Sequence, residues 1–354
     1  MASAPQESGG TDVGVALDAP PIEPQGTGQK WTPERIWRGI RRRLQNRSAD
    51  LRDAVMLPLA SSSSRLASIG YATVNGAFRR EHRAVAAGRR RYRAETAAAS
   101  RHYFVLRRNV HRIEKGLVMR PRRAVFAAGY VLDTVRAYRR LVELAQRSVD
   151  LIDPAELRWA RDVLHTYFGV VGRERAIDRA RAEFEAIPVP DLVDIETLYA
   201  PYPRDLSRPP SVPFDDLLAL SVRRRSVRWY LPKTVPRELV DRALEIAAQA
   251  PSACNRQPFE FRIVDDPDLL HRVARIPMGT GGFAGNLPGL AVVVGKLRAF
   301  AKERDRHLIY IDGALAAMAF IYGLEALGLA SCCINWADVD SQERAMAGAL
   351  DLDP

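Results

Sequence analysis

The chain is 354 residues long, 47% hydrophobic and 27% charged, with 53 Lys and Arg against 42 Asp and Glu. That length accommodates two domains with ordinary cores, and the composition is that of a globular protein rather than a fibrous or wholly disordered one. Cys254, Cys332 and Cys333 fall late and without metal-ligand spacing, so neither a disulfide framework nor a zinc site is expected, and the net charge of +11 is concentrated, with 23 basic and 6 acidic residues between Trp31 and Arg123.

Residues 1–30 carry several Pro and Gly and almost no bulky apolar side chains, the composition of a disordered tail. They have neither the basic opening nor the continuous apolar run of a secretory signal, which makes a cytoplasmic location the default expectation. Residues 31–187 are dominated by Ala, Arg, Leu and Glu at helical spacing and predict a basic, all-α domain. Within it, Val131, Leu132, Val135, Tyr138, Leu141 and Leu144 recur every three or four positions and predict a helix over Phe126 to Val149. Asp153-Pro154 opens a second helix running to Phe168, as cap and first helical position. His111 and Glu114, one helical turn apart, are placed to form a surface pair.

Prolines cluster over residues 188–213, which reads as an extended linker and sets the domain boundary there. Beyond it, residues 214–354 change pattern. Helices are expected over Phe214 to Arg224 and Pro236 to Gln249, and strands at Phe259 to Val264, Leu290 to Gly295 and Ser331 to Ile334. The apolar stretch Ile311 to Leu329 contains Asp312 and Glu325, charges that are costly in lipid, so it reads as a buried core helix rather than a membrane span. Strands separated by helices give an α/β or α+β class.

Two segments in this half carry chemistry. Arg224, Arg225, Ser226 and Arg228 place guanidinium forks and a hydroxyl within five residues, a group suited to a phosphate or to the edge of an electron-rich ring. An Arg-rich helix end alone equally serves to offset the helix dipole. Some twenty-five residues later, Ala250-Pro251-Ser252-Ala253-Cys254-Asn255-Arg256-Gln257-Pro258 forms a polar loop between a helix and a strand. Its prolines fix the backbone while Ser252, Asn255 and Gln257 offer donors and acceptors to a planar heterocycle.

Together these segments resemble the flavin-dependent nitroreductase family, which carries an RRSxRxF-type opening, a PSxxNxQPW-type loop and a long helix ending in a GLGxCWIG-type strand. The third element here reads Leu327-Gly328-Leu329-Ala330-Ser331-Cys332-Cys333-Ile334-Asn335-Trp336. The resemblance covers roughly Phe214 to Pro354 and implies an α+β nitroreductase-like FMN-binding fold preceded by the all-α domain. It implies that Arg224, Arg225 and Ser226 contact the FMN phosphate and ribityl chain, and that Arg228 lies near the N1/O2 edge of the ring. Pro251, Ser252, Ala253, Asn255 and Gln257 would reach the flavin of a partner subunit in a homodimer, Gly279 would lie over the pyrimidine side, and the backbone at Ile334 and Asn335 would face N5. The implied reaction is hydride transfer from NAD(P)H through flavin N5 to an electron-poor small-molecule acceptor such as a nitro compound or quinone, with no metal and no protein nucleophile.

Two departures accompany the resemblance. Trp336 stands where relatives often carry a small residue, which narrows the expected cavity. The sequence stops at Pro354, where relatives continue into a further strand with basic residues that clamp the phosphate, so either the chain is truncated or phosphate binding falls to Arg224 and Arg225. The segment from Asn109 to Leu117 also resembles an HRxEKGL-type stretch found ahead of nitroreductase domains associated with polysaccharide biosynthesis. The alternative function is a non-catalytic or weakly flavin-binding module. Its basic helices would dock on an anionic membrane surface, nucleic acid or an acidic sugar precursor.

Overall fold

The computed structural model describes residues 33–98, 103–147, 152–188 and 198–352. The expected tail over residues 1–30 lies outside the described residues, as do 189–197 of the Pro-rich stretch. The chain divides into two compact units, Met1–Ala77 and Phe78–Pro354.

In the first unit, helix α1 (Pro33–Ser62) is followed by helix α2 (Ser64–Thr73). They meet where Met56 is buried against Gly70; a Cβ there would stand 3.3 Å from the Met56 Cγ, so the absent side chain is what admits the methionine.

The second unit begins with α3 (Arg79–Ala98), followed by a bundle of α4 (Tyr103–Val118), α5 (Val131–Arg147), α6 (Pro154–Val170) and α7 (Arg175–Glu185). Its core is apolar and closed, with Leu106, Ile113, Val135, Tyr138, Leu164 and Tyr167 among the fully buried side chains. The Asp153 carboxylate accepts from the Ala155 amide, and Pro154 sits inside the first turn, so α6 starts as its sequence predicts. Helix α5 starts later than the apolar periodicity predicts. Ala127 adopts a left-handed backbone (φ 62°), which holds Phe126 to Tyr130 out of the helix as a turn. That turn is fastened by the Tyr167 hydroxyl, which donates to the Phe126 carbonyl at 2.7 Å, and by the Arg112 guanidinium 3.7 Å over the Tyr130 ring. In the HRxEKGL-type stretch His111 lies 3.4 Å from Glu114, whose other oxygen takes the Trp159 indole N–H at 2.8 Å.

Then come α8 (Phe214–Arg223), α9 (Arg237–Ala247), β1 (Phe259–Val264), α10 (Pro267–Val273), β2 (Leu290–Gly295), α11 (Leu308–Ala326) and α12 (Asp340–Leu350). Strands β1 and β2 have the predicted bounds and pair antiparallel, with Phe259 opposite Gly295 and Val264 opposite Leu290. The third expected strand does not form. Ser331 makes one isolated parallel bridge to Ser226, and Cys332 to Ile334 have no ladder of their own. Helix α11 crosses α9 at Gly323, where a Cβ would stand 3.0 Å from the Ala243 Cα, and Phe320, Val240 and Ala247 fill the contact. It is less buried than a core helix should be: Asp312, Ala316, Phe320 and Gly323 face inward, whereas Tyr310, Ile311, Leu315 and Met318 are exposed.

Candidate functional site

Helix α8 ends at Arg223, and Arg224 leaves it in an extended conformation while its amide still closes the last turn on Leu220. The chain that follows runs beside the segment after α11. Ser226 and Ser331 form a parallel bridge, and the Val227 amide donates to the Ser331 carbonyl at 3.1 Å. Tyr230 locks the other side: its hydroxyl donates to the Val227 carbonyl at 2.7 Å, and its amide donates to the Asn286 side chain at 2.9 Å. Burial pushes the Tyr230 hydroxyl above its ordinary pKa, against the pull of the Arg228 charge, so it stays a donor at neutral pH.

This bracing fixes four arginines in sequence, and they are not equivalent. Arg223 is spent on Glu325, at 2.9 Å. Arg225 donates to the Arg224 carbonyl, and among the described residues no carboxylate pairs with Arg224, Arg225 or Arg228. Among the described residues these three guanidinium groups therefore have no counter-charge, and the backbone that carries them is bridged to Ser331. Gly279 lies against the segment that follows Ser331, since a Cβ on it would come 4.0 Å from the Ile334 Cγ2. Around Gly281, Gly282 and Gly285 an added Cβ would meet nothing within 4 Å, which leaves open space beside the Gly-rich turn. The guanidinium and hydroxyl donors fit a phosphorylated, electron-rich planar ligand.

The loop Pro251 to Gln257 is held differently. Ala253 to Asn255 make a single 3-10 turn, and Cys254, Asn255 and Gln257 all adopt left-handed backbone angles (φ 55°, 50° and 47°). Such conformations cost non-glycine residues of order 1 kcal/mol each and persist only where the surroundings enforce them. Here the surroundings are explicit. The Ala253 amide donates to the Asp312 carboxylate on α11 at 3.0 Å, the Gln257 amide donates to the Ser252 hydroxyl at 3.0 Å, and Arg107 on α4 donates to the Arg256 carbonyl at 2.9 Å. Arg107 is itself gripped by Glu156 on α6, through contacts of 2.7 to 2.9 Å. Asp312 is only 3% exposed, and desolvation raises its pKa, opposed by the Ala253 N–H and the Arg256 charge.

Within one chain, then, Ser226 is bridged to Ser331 just beyond the C-terminal end of α11, and Gly279 lies against Ile334 further along the same segment. Pro251, Ser252, Ala253, Asn255 and Gln257 are fastened near the N-terminal end of α11, about 21 Å of helix away from Ala326 at 1.5 Å per residue. Trp336, expected to narrow the cavity, donates its indole N–H to Glu343 at 2.7 Å, and Arg80 from α3 joins both Glu343 and Asp338. Asp312, Arg107, Arg256 and Asn286 are the residues that sequence reasoning did not assign to the site. Asp312 alone left a signal, as a lone acid in an apolar helix.

Residues 222–280, which include the arginine segment and the loop, match the family described as Nitroreductase family. Among curated proteins, iodotyrosine deiodinase 1 of Rattus norvegicus is 36% identical over 75 residues, covering 21% of this chain and 25% of that protein. An NADH dehydrogenase of Thermus thermophilus is 40% identical over 57 residues, covering 16% of this chain and 28% of its own length. The chain thus spans a quarter or less of the deiodinases that it matches. An FMN-dependent nitroreductase from Clostridium difficile superposes with a TM-score of 0.33 at 27% identity, covering 38% of this chain and 78% of that structure.

Proposed function

We propose that this protein is an FMN-dependent oxidoreductase that uses NAD(P)H to reduce an electron-poor acceptor, with each flavin site completed by a second copy of the chain. The observation that carries this reading is that Arg224, Arg225 and Arg228 have no carboxylate partner among the described residues, on a backbone that the Ser226–Ser331 bridge ties to the segment leading to Ile334.

Arg224, Arg225 and Ser226 would hold the phosphate and ribityl end of FMN, because a charge-assisted fork binds a phosphate more strongly than neutral donors do. Arg228 would lay positive charge at the ring edge, and the backbone at Ile334 and Asn335 would orient the reacting face. Bound FMN supplies two-electron transfer between a nicotinamide and an acceptor such as a nitro compound or quinone. The protein's share is positioning, charge and exclusion of water.

The loop from Pro251 to Gln257, tied to Asp312 near the start of α11, would reach the flavin held by a second copy of the chain. An antiparallel pairing of two α11 helices would bring the loop of one copy to the arginines of the other, and this explains why Ile311, Leu315 and Met318 line an exposed apolar face.

The test is titration of the purified protein with FMN, followed by addition of NADPH or NADH under nitrogen. Bound flavin that bleaches supports the reading, and Arg228→Ala should weaken FMN binding about tenfold or more, on the scale of about 1.5–3 kcal/mol for a hydrogen bond to a charged group. Protein that binds no added FMN would overturn it. Identity of 36–42% to six iodotyrosine deiodinases favours an iodinated phenol as a second acceptor class, so 3-iodotyrosine belongs beside a nitroaromatic and a quinone in the assay.

A further inference from the structure

Helix α1 presents an apolar stripe that no described residue of its own unit covers. Trp37, Ile40, Leu44, Leu51, Val55 and Leu59 are all exposed, Trp37 at 70% and Leu51 at 74%. Their spacing of three, four, seven, four and four residues keeps them within an arc of roughly 100° on a helix turning 100° per residue. Met56, the residue that packs on α2, lies to one side of that arc. At the edges of the arc stand exposed arginines, Arg41 and Arg52 on one side and Arg47 on the other. Over its length α1 carries seven arginines against three acidic residues.

We infer that α1 lies in the surface of an anionic phospholipid bilayer, with the stripe below the headgroups and the arginines among the phosphates. Each part of the pattern has a use there. Apolar side chains gain by leaving water, flanking arginines reach lipid phosphates along their aliphatic stems, and an indole favours the interfacial depth. At 30 residues α1 would lie along the surface for about 45 Å. It does not span: among the described residues only Glu303–Ala326 is long and apolar enough for that. A second copy is a poorer occupant, because stripe-to-stripe pairing would bring two arginine-rich helices together. Nucleic acid would satisfy the arginines and leave the stripe in water. The inference does not rest on the flavin reading.

The test is co-sedimentation of the full chain with vesicles of phosphatidylcholine alone and of phosphatidylcholine mixed with phosphatidylglycerol, in 0.1 M salt. Expected is pelleting with the anionic vesicles only, weakened at least about tenfold by Leu44→Glu/Leu51→Glu and, separately, by Arg41→Glu/Arg47→Glu. All four side chains are exposed, so these variants should keep the fold, as judged by an unchanged melting temperature. Pelleting that the arginine pair abolishes but the leucine pair leaves intact would overturn insertion of the stripe. So would failure to pellet by a chain whose oligomeric mass falls in the leucine variant, because a second copy then covers the stripe. Tighter binding to a duplex oligonucleotide than to anionic vesicles would overturn it as well.

Discussion

Asp312 carries a carboxyl group that water scarcely reaches, and its partner is a backbone amide in a strained turn. Removing the carboxyl leaves the Ala253 N–H buried without an acceptor, whereas an amide side chain keeps one oxygen in place. Asp312→Ala should therefore cost about 1–3 kcal/mol in denaturant unfolding, and Asp312→Asn far less. The pH dependence follows from the direction of the shift. Burial raises the folded-state pKa above the ordinary value of 3.8, so the unfolded chain loses this proton first. The stabilising contribution is complete below 3.8 and is lost as the pH climbs through the raised value. Denaturation midpoints of wild type and Asp312→Asn, compared at several pH values from the acid side upward, should show the wild type losing ground to the variant. A gap that widens in favour of the wild type would contradict the assignment.

Among the elements, the crossing of α9 and α11 is the one on which the site depends, because α9 connects the arginine segment at its start to the strained loop at its end. Gly323 admits the approach: a side chain there would press on the Ala243 backbone, which cannot swing aside. Gly323→Leu should destabilise the unit by about 1–3 kcal/mol and loosen both ends of the site together, seen as a lower melting temperature and weaker FMN binding in one variant. Much at this scale was legible in the sequence. Asp153-Pro154 announces α6, and the β-branched runs at Phe259 and Leu290 announce both strands, because capping and alternation are local properties. What failed was decided at a distance. Ala127 is held left-handed by Tyr167 and Arg112 acting on the turn around it, and a good helix former gives no hint of that. Ser331 to Ile334 looks like a strand because periodicity reports an apolar run and not whether a neighbour reaches it. The arginines and the loop could be named from their motifs, but Arg107 and Glu156 could not, since they lie some hundred residues upstream in a bundle with its own core.

For the whole molecule, the proposed reading makes a complete site the joint work of two copies. If the loop is supplied in trans, a chain altered at Arg228 and a chain altered at Asn255 each lack one half of every site. Mixed and reassembled, they should regain about a quarter of the wild-type flavin sites, because half of the random pairs are mixed and each mixed pair has one intact site. Absorbance of bound flavin after refolding the mixture measures this, and no recovery would place both halves in the same chain. The uncovered faces of α1 and α11 belong to this scale as well. An apolar helix in sequence reads as interior, and only the folded chain reveals which side of it the chain itself leaves bare.

The grip of Arg107 on the Arg256 carbonyl carries one more implication. The residues that match the family start only at 222, yet the rim they contribute is propped by an arginine on α4 and a glutamate on α6. Excising the upstream bundle would leave every residue proposed to face the flavin in the sequence and release the loop backbone that Arg107 holds, so affinity would fall with none of those residues altered.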